Sequence, residues 1–320
     1  MSLIDRQGRQ FKSLRISLTS ACNYACDYCV PEGTLLKASP EALSGEDLMR
    51  LVSLLHRVLG LSKLRFTGGE PLIAPNLKTV LRAIPELGID TSVTTNAQFL
   101  SRHCQDIARA GLSGVNVSLD ALDPEVFRVL AKSGDVGTVL QGIEDALALG
   151  LRVKVNTVPM RTKNRDQLAP LFDWCSQRGI ELRFIELMRM GHLSNPAAFE
   201  ADFISEAEIV DLLSEFGPAT QQPREANSTS YSYLNERGKF GFISNESAPF
   251  CSDCDRLRLS SDGRIFGCIS STHNRDIRPA LAMETADALA FIQEALGDTL
   301  KSKQPVRFSG EQTIMQIIGG

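Results

Sequence analysis

The sequence has no run of about 18 apolar residues, so no transmembrane helix and no membrane partner are expected. Its opening, MSLIDRQGRQFKS, has no apolar stretch of the kind that marks a secretory signal, and a cytoplasmic location is the expectation. It has no excess of positive charge. Lys and Arg number 34 against 38 Asp and Glu, a net charge of −4, which argues against a broad basic field for nucleic acid. There is no low-complexity segment, and no internal repeat beyond a β-α unit. What remains is a globular composition, 43% apolar and 22% charged, over 320 residues: one large domain or two ordinary ones. In a reducing compartment the eight cysteines are expected to bind metal or do chemistry rather than pair as disulfides. Cys104 and Cys175 stand alone and read as small buried hydrophobes. The other six form two groups, and each group lacks a fourth member. CNYACDYC holds Cys22, Cys26 and Cys29 as C-x3-C-x2-C. FCSDCDRLRLSSDGRIFGC holds Cys251, Cys254 and Cys268 as C-x2-C-x13-C.

Short β-branched runs alternate with helical patterns from residue 13 to 187. The strand candidates are 14–18, 63–67, 91–95, 114–119, 152–158 and 181–187. Between them GEDLMRLVSLLHRVL (45–59) and VLQGIEDALALG (139–150) repeat apolar residues at three and four, as an amphipathic helix does. Six β-α units predict an α/β fold: a partial (β/α)6 TIM-like barrel, with an open doubly wound sheet as the alternative. Either places the site at the strand C-terminal ends. After Gly191 the pattern changes. Residues 191–204 read as a loop. ISEAEIVDLLSEFG reads as a helix capped by Ser205 and stopped at Gly217, and 221–230 as a polar loop. YSYLN, KFGFIS, RLRLSS and RIFGC predict short antiparallel strands, the last two joined by the hairpin signal Asp262–Gly263. TADALAFIQEALGDTLKSK reads as a helix. The expected division is residues 1–190, the barrel, and 191–320, a smaller C-terminal region of antiparallel strands and helices that carries the second cysteine group and the tail.

Three thiolates can hold a 4Fe–4S cluster by three irons and leave the fourth open, much as a catalytic zinc keeps one position free. An open iron can chelate a small molecule through an amine and a carboxylate. Read alone, the second group also suits a zinc ribbon, with His273 as a fourth ligand.

CNYACDYC, placed just after the first strand of a β-α series, resembles the cluster loop of radical S-adenosylmethionine enzymes. The resemblance implies that the open iron binds the methionine part of S-adenosylmethionine, and that an electron from the cluster cleaves the sulfonium to give a 5′-deoxyadenosyl radical. Tyr28 resembles the aromatic that lies against adenine. FTGGEPL (66–72) resembles the glycine-rich segment that receives the methionine amine, with Gly69 the residue carried over. Ser118 in VNVSLDAL and Met188 in LRFIELM match further cofactor contacts. The second cysteine group, the CDRLRLSSDG run and the terminal IIGG together resemble the GTP 3′,8-cyclase family of molybdenum cofactor biosynthesis, over essentially the whole chain from Leu14.

That resemblance implies two 4Fe–4S clusters, S-adenosylmethionine as cofactor and GTP as substrate, with the guanine on the open iron of the second cluster. It implies conversion of GTP to 3′,8-cyclo-7,8-dihydro-GTP, and a Gly-Gly end that enters the active site. Arg15, Arg65, Lys154, Arg256 and Arg258 match GTP contacts, with Thr94 a further substrate contact and Lys63 and Arg183 neighbours of the same kind. A triphosphate in a net acidic chain needs such placed cations. Expected partners are an electron donor such as flavodoxin or ferredoxin, the next enzyme of the molybdopterin pathway, and a second copy of the chain. The sequence departs from the family pattern in TSAC, in IAPNL, at Ala97 where glycine is usual, and at Asp255 where asparagine is usual. None of these removes a ligand. Asp255 puts a carboxylate beside the second cysteine group, where it bears on base recognition or cluster potential. Two other readings stand beside this one: another radical enzyme with an auxiliary cluster, such as a peptide-modifying one, and a non-catalytic zinc-binding scaffold.

Overall fold

The computed structural model describes residues 3–31, 34, 36–223 and 231–303. The Gly319–Gly320 end lies outside them. Six strands follow the expected order: β1 (Ser13–Ser17), β2 (Lys63–Thr67), β3 (Asp90–Thr95), β4 (Gly114–Ser118), β5 (Val153–Thr157) and β6 (Glu181–Ile185). Each pairs in parallel with the next. Helices fill the crossovers: α1 (Gly45–Leu59), α2 (Leu77–Ala83), α3 (Leu100–Arg109), α4 (Pro124–Ala131), α5 (Val136–Ala148) and α6 (Leu168–Ser176). Helix α1 shows why they form. Ser44 accepts the Asp47 amide at 3.0 Å, Gly60 closes the other end at φ 64°, and Leu48, Leu51, Val52 and Leu55 make one buried stripe.

After β6 the segment expected to be a loop holds a 3-10 turn (Gly191–Ser194) and α7 (Pro196–Asp202). The signal was present in Asn195–Pro196: the Asn195 side chain caps the helix and Pro196 opens it. Helix α8 (Glu206–Leu212) carries the capping box at Ser205. Strands β7 (Thr220–Gln222), β8 (Tyr231–Leu234), β9 (Lys239–Ile243), β10 (Arg256–Leu259), β11 (Arg264–Phe266) and β12 (Asn274–Asp276) follow, then α9 (Thr285–Thr299). They do pair antiparallel among themselves, but in two separate groups. Strand β9 pairs in parallel with β6, and β10 in parallel with β1, so each group extends one edge of the barrel sheet. The result is one twelve-stranded sheet, β12-β11-β10-β1-β2-β3-β4-β5-β6-β9-β8-β7. Phe184 and Phe242, stacked at 5.4 Å, and Phe172 and Phe240, edge to face at 5.2 Å, pack β9 onto the repeats.

The sheet curves. Arg15 of β1, Arg183 of β6 and Ile243 of β9 line the same cavity. In a flat sheet six strand spacings would put β9 about 29 Å from β1, at ~4.8 Å each. The partial barrel is therefore the observed form. Among the described residues, no helix is long and apolar enough to cross a membrane.

Candidate active site

The first cysteine loop leaves the C-terminal end of β1 and turns on itself, Cys29 N–H donating to the Cys26 carbonyl at 2.8 Å. Ala25 N–H donates to Ala131 at the end of α4 (3.1 Å), and the Asp27 carboxylate takes Lys132 at 2.8 Å and also Lys163. TGGEP packs directly against it. A Cβ on Gly69 would stand 2.1 Å from the Ala21 carbonyl oxygen, and one on Gly68, at φ 151°, would stand 2.4 Å from that of Thr19. Glycine is thus required here to let two backbones meet, and Gly69 and Glu70 N–H bond Thr19 and Ala21 across the junction at 2.7 and 2.8 Å.

Cys22, Cys26, Cys29, Tyr28, Gly69, Ser118 and Met188 all line the barrel cavity. Buried acids line it as well, Glu70, Asp120 and Glu186. Glu70 accepts from Leu72 N–H, Asn96 N–H and the Thr95 hydroxyl (2.9, 2.7 and 2.6 Å), and burial raises its pKa to about 7. Asp120 accepts from the Tyr28 hydroxyl at 2.8 Å and from Val158 N–H at 2.8 Å, so the end of β4 fixes the ring of Tyr28; burial raises this carboxyl too. Burial pushes the Cys22 thiol to about 12 and Cys26 well above its usual range. Such thiols ionise readily only against a multiply charged metal.

Deeper in the barrel lies a row of cations. Arg258, Arg15, Arg65 and Ser92 are successive register partners across β10, β1, β2 and β3. Arg15 is held well below its ordinary pKa by burial, then by Arg258, Arg256 and Arg65. Burial and neighbouring arginines bring Arg65 to about 9 and Arg258 to about 10. Arg183 is buried, lines the cavity and donates to Asn116 Oδ1 at 2.5 Å, while among the described residues its Nε has no partner; nor, among them, have Asn156 Oδ1 opposite it and two nitrogens of Arg256. Arg15, Arg65 and Thr94 face the same cavity; Lys154, Arg256 and Arg258 do not line it. Lys154 is 43% exposed and paired with Glu181 at 2.8 Å. Lys63 is exposed at the start of β2.

The second cysteine group sits at the other end of the barrel. Cys251 and Cys254 precede β10, which runs with β1, and Cys268 follows the antiparallel β11. Ser13 N–H bonds the Asp255 carbonyl at 3.4 Å, tying this loop to the start of β1, the end opposite Cys22. Arg9, gripped by Asp5, donates to the Cys251 carbonyl. Lys303 Nζ lies 3.2 Å from Cys254 Sγ. Burial alone would raise the Cys254 thiol, but Lys303 and Arg256 outweigh it and bring it to about 6. His273 turns to Asp298 at 3.3 Å, away from the role of a fourth ligand. Among the described residues, no three His, Cys, Asp or Glu side chains close on a single-ion site. A single zinc needs all its sulfurs at about 2.3 Å from one point, whereas a cluster takes each thiolate on a different iron. The two donor sets fit 4Fe–4S clusters. Glu70, Asp120, Asn156 and Lys303 went unassigned in the sequence. The first two stand inside TGGEP and VNVSLDAL, and Asn156 shares a strand face with Lys154; Lys303 has no local signal.

A three-cysteine loop at the head of the first strand, opening into a curved parallel sheet, defines a radical S-adenosylmethionine enzyme. The model of the Radical SAM superfamily matches residues 16–175, and that of Molybdenum Cofactor Synthesis C matches 180–308. The chain is 35% identical to the GTP 3′,8-cyclase of Staphylococcus haemolyticus, over 97% of this chain and 93% of the relative. It is 36% identical to the GTP 3′,8-cyclase of Paracoccus denitrificans, over 92% and 87%. The crystal structure of Streptococcus suis SuiB bound to S-adenosylmethionine shares the fold, with a TM-score of 0.62 at 16% identity, over 85% of this chain and 64% of that one. The chain belongs to the GTP 3′,8-cyclase family.

Proposed function

We propose that this chain converts GTP to 3′,8-cyclo-7,8-dihydro-GTP, the first step of molybdopterin biosynthesis. The observation that carries this reading is the barrel with a three-cysteine group at each end and a row of register-paired arginines between them. Cys22, Cys26 and Cys29 would hold one 4Fe–4S cluster, and Cys251, Cys254 and Cys268 the other. The first, with S-adenosylmethionine bound, supplies a 5′-deoxyadenosyl radical. Tyr28, steadied by Asp120, would present its ring to the adenine; Gly69, Ser118 and Met188 complete that side. Met188, Met190 and Leu193 form an apolar wall that keeps water from the reacting centre. Arg15, Arg65, Arg256 and Arg258 would take the triphosphate by charge-assisted hydrogen bonds, with Thr94, Lys154 and Arg183 beside them. Cations packed this closely are costly without an anion and become favourable with one. Residues 1–190 would supply the cofactor site and part of the nucleotide site, and 191–320, with its Gly-Gly end, the second cysteine group and the rest of the nucleotide site. The location we assign is the cytoplasm, where an electron donor such as flavodoxin or ferredoxin and the next pathway enzyme are the partners, and a homodimer the assembly. The test is anaerobic reconstitution followed by product analysis with S-adenosylmethionine and GTP. About eight irons per chain, four per cluster, and a cyclised GTP product are expected. Cleavage of S-adenosylmethionine with GTP left unchanged would point instead to another substrate class.

A further inference from the structure

The two cysteine groups differ in what touches their sulfurs. At the first, the contacts to Cys22 come from neutral donors, Tyr24 N–H at 3.4 Å and the Asn96 amide at 3.9 Å, while the buried carboxylates of Glu70 and Asp120 stand close by. At the second, Lys303 points its ammonium at Cys254 Sγ from 3.2 Å. Lys303 is 7% exposed, and its position is fixed by two further contacts: the Arg256 carbonyl at 2.8 Å and the face of Phe11 at 5.1 Å. None of the three contacts is a carboxylate, so the full charge is directed at the sulfur. Two other cations stand near this loop: Arg9, paired with Asp5, donates to the Cys251 carbonyl, and Arg256 adds to the field at Cys254.

A cluster that accepts an electron gains one negative charge. A hydrogen bond to a ligand sulfur and a nearby cation both favour the reduced form, and burial among carboxylates disfavours it. We propose that Lys303 sets the reduction potential of the second cluster, holding it above that of the first through a charge-assisted N–H···S bond to Cys254. One electron arrives from an external donor and resides on the cluster, and no bond is made or broken. The inference rests on the two-cluster reading given above.

The test uses the full-length, anaerobically reconstituted protein, reduced stepwise with dithionite and followed by electron paramagnetic resonance. Added S-adenosylmethionine perturbs the first cluster's signal and so assigns the two components. Lys303→Met is expected to lower the midpoint of the second cluster alone, changing its reduced-to-oxidised ratio at fixed poise by about tenfold, which is ~59 mV for one electron. Lys303→Arg should keep most of the wild-type value, with Lys303→Gln between the two. Unmoved midpoints at full iron content, or equal shifts of both clusters, would overturn the proposal. Should the methionine variant hold no second cluster, the other two decide: Gln lowered with Arg near wild type supports it, and both at wild type sinks it. A wild type holding only four irons would overturn the two-cluster reading itself, and this inference with it.

Discussion

Arg15 on β1 and Arg258 on β10 are register partners on neighbouring parallel strands, both cationic, Arg258 buried and Arg15 partly so. Arg65 extends the row on the other side of Arg15. Unit charges about 5 Å apart repel by roughly 3 kcal/mol at an effective dielectric of 20. Folding alone gives no reason to build such a row; a polyanion does.

Arg15→Met is therefore expected to stabilise the ligand-free protein, by about 1–3 kcal/mol, because it replaces a partly buried group among like charges with an apolar one of similar length. The same change should weaken GTP binding by about 1.5–3 kcal/mol through loss of a charge-assisted contact. Urea unfolding without ligand and equilibrium GTP binding measure the two effects. Lower stability together with unchanged affinity would make Arg15 a structural residue.

Gly69→Ala tests the junction of the two loops. Its Cβ would lie 2.1 Å from the Ala21 carbonyl oxygen, so the cysteine loop must move. Iron content after reconstitution should fall by about half, from eight to four per chain, with the second cluster retained. Full iron content would show that the loop yields without losing its ligands.

Glu70 gives a pH dependence. Its native pKa, about 7, lies above the 4.5 of an ordinary glutamate. The folded state therefore binds this proton more tightly than the unfolded state. Its stabilising contribution is fully present below about pH 4.5 and is lost as pH rises to about 7. Infrared difference spectra should show a protonated carboxyl band titrating near pH 7, absent in Glu70→Gln. A band that disappears by pH 5 would contradict the assignment.

Ala97 is buried in the left-handed region at φ 62°. That conformation costs an L-residue about 1–2 kcal/mol, while glycine adds unfolded-state entropy of about 0.5–1. Ala97→Gly should raise stability by up to about 1 kcal/mol, and Ala97→Val should lower it. Thermal unfolding of the pair measures both; a destabilised glycine variant would locate the constraint in packing instead.

The strands of the β-α series were legible because each is a compact β-branched run between helical repeats, and the apolar repeat of 45–59 matched α1 to the residue. The parallel docking of β9 and β10 was not. KFGFI and RLRL are short, and a partner strand 58 residues away for β9 or 243 away for β10 leaves no trace in local periodicity. The cysteines could be read as two incomplete ligand sets, but not as occupying opposite ends. Position relative to strand direction decides that, and β10 had been expected only to pair antiparallel. Lys303 shows the same limit, since a lysine after a helix reads as solvated until the fold brings it to a sulfur.

The placement of the two cysteine groups at opposite ends of β1 sets a length requirement on the substrate. Ser13 and Ser17 are about 13 Å apart at ~3.3 Å per residue. On the proposed assignment, a molecule held at the second group must extend along that strand to meet chemistry that starts at the first. A whole nucleotide can span such a gap, whereas a free base bound at one end would stay out of reach of the other.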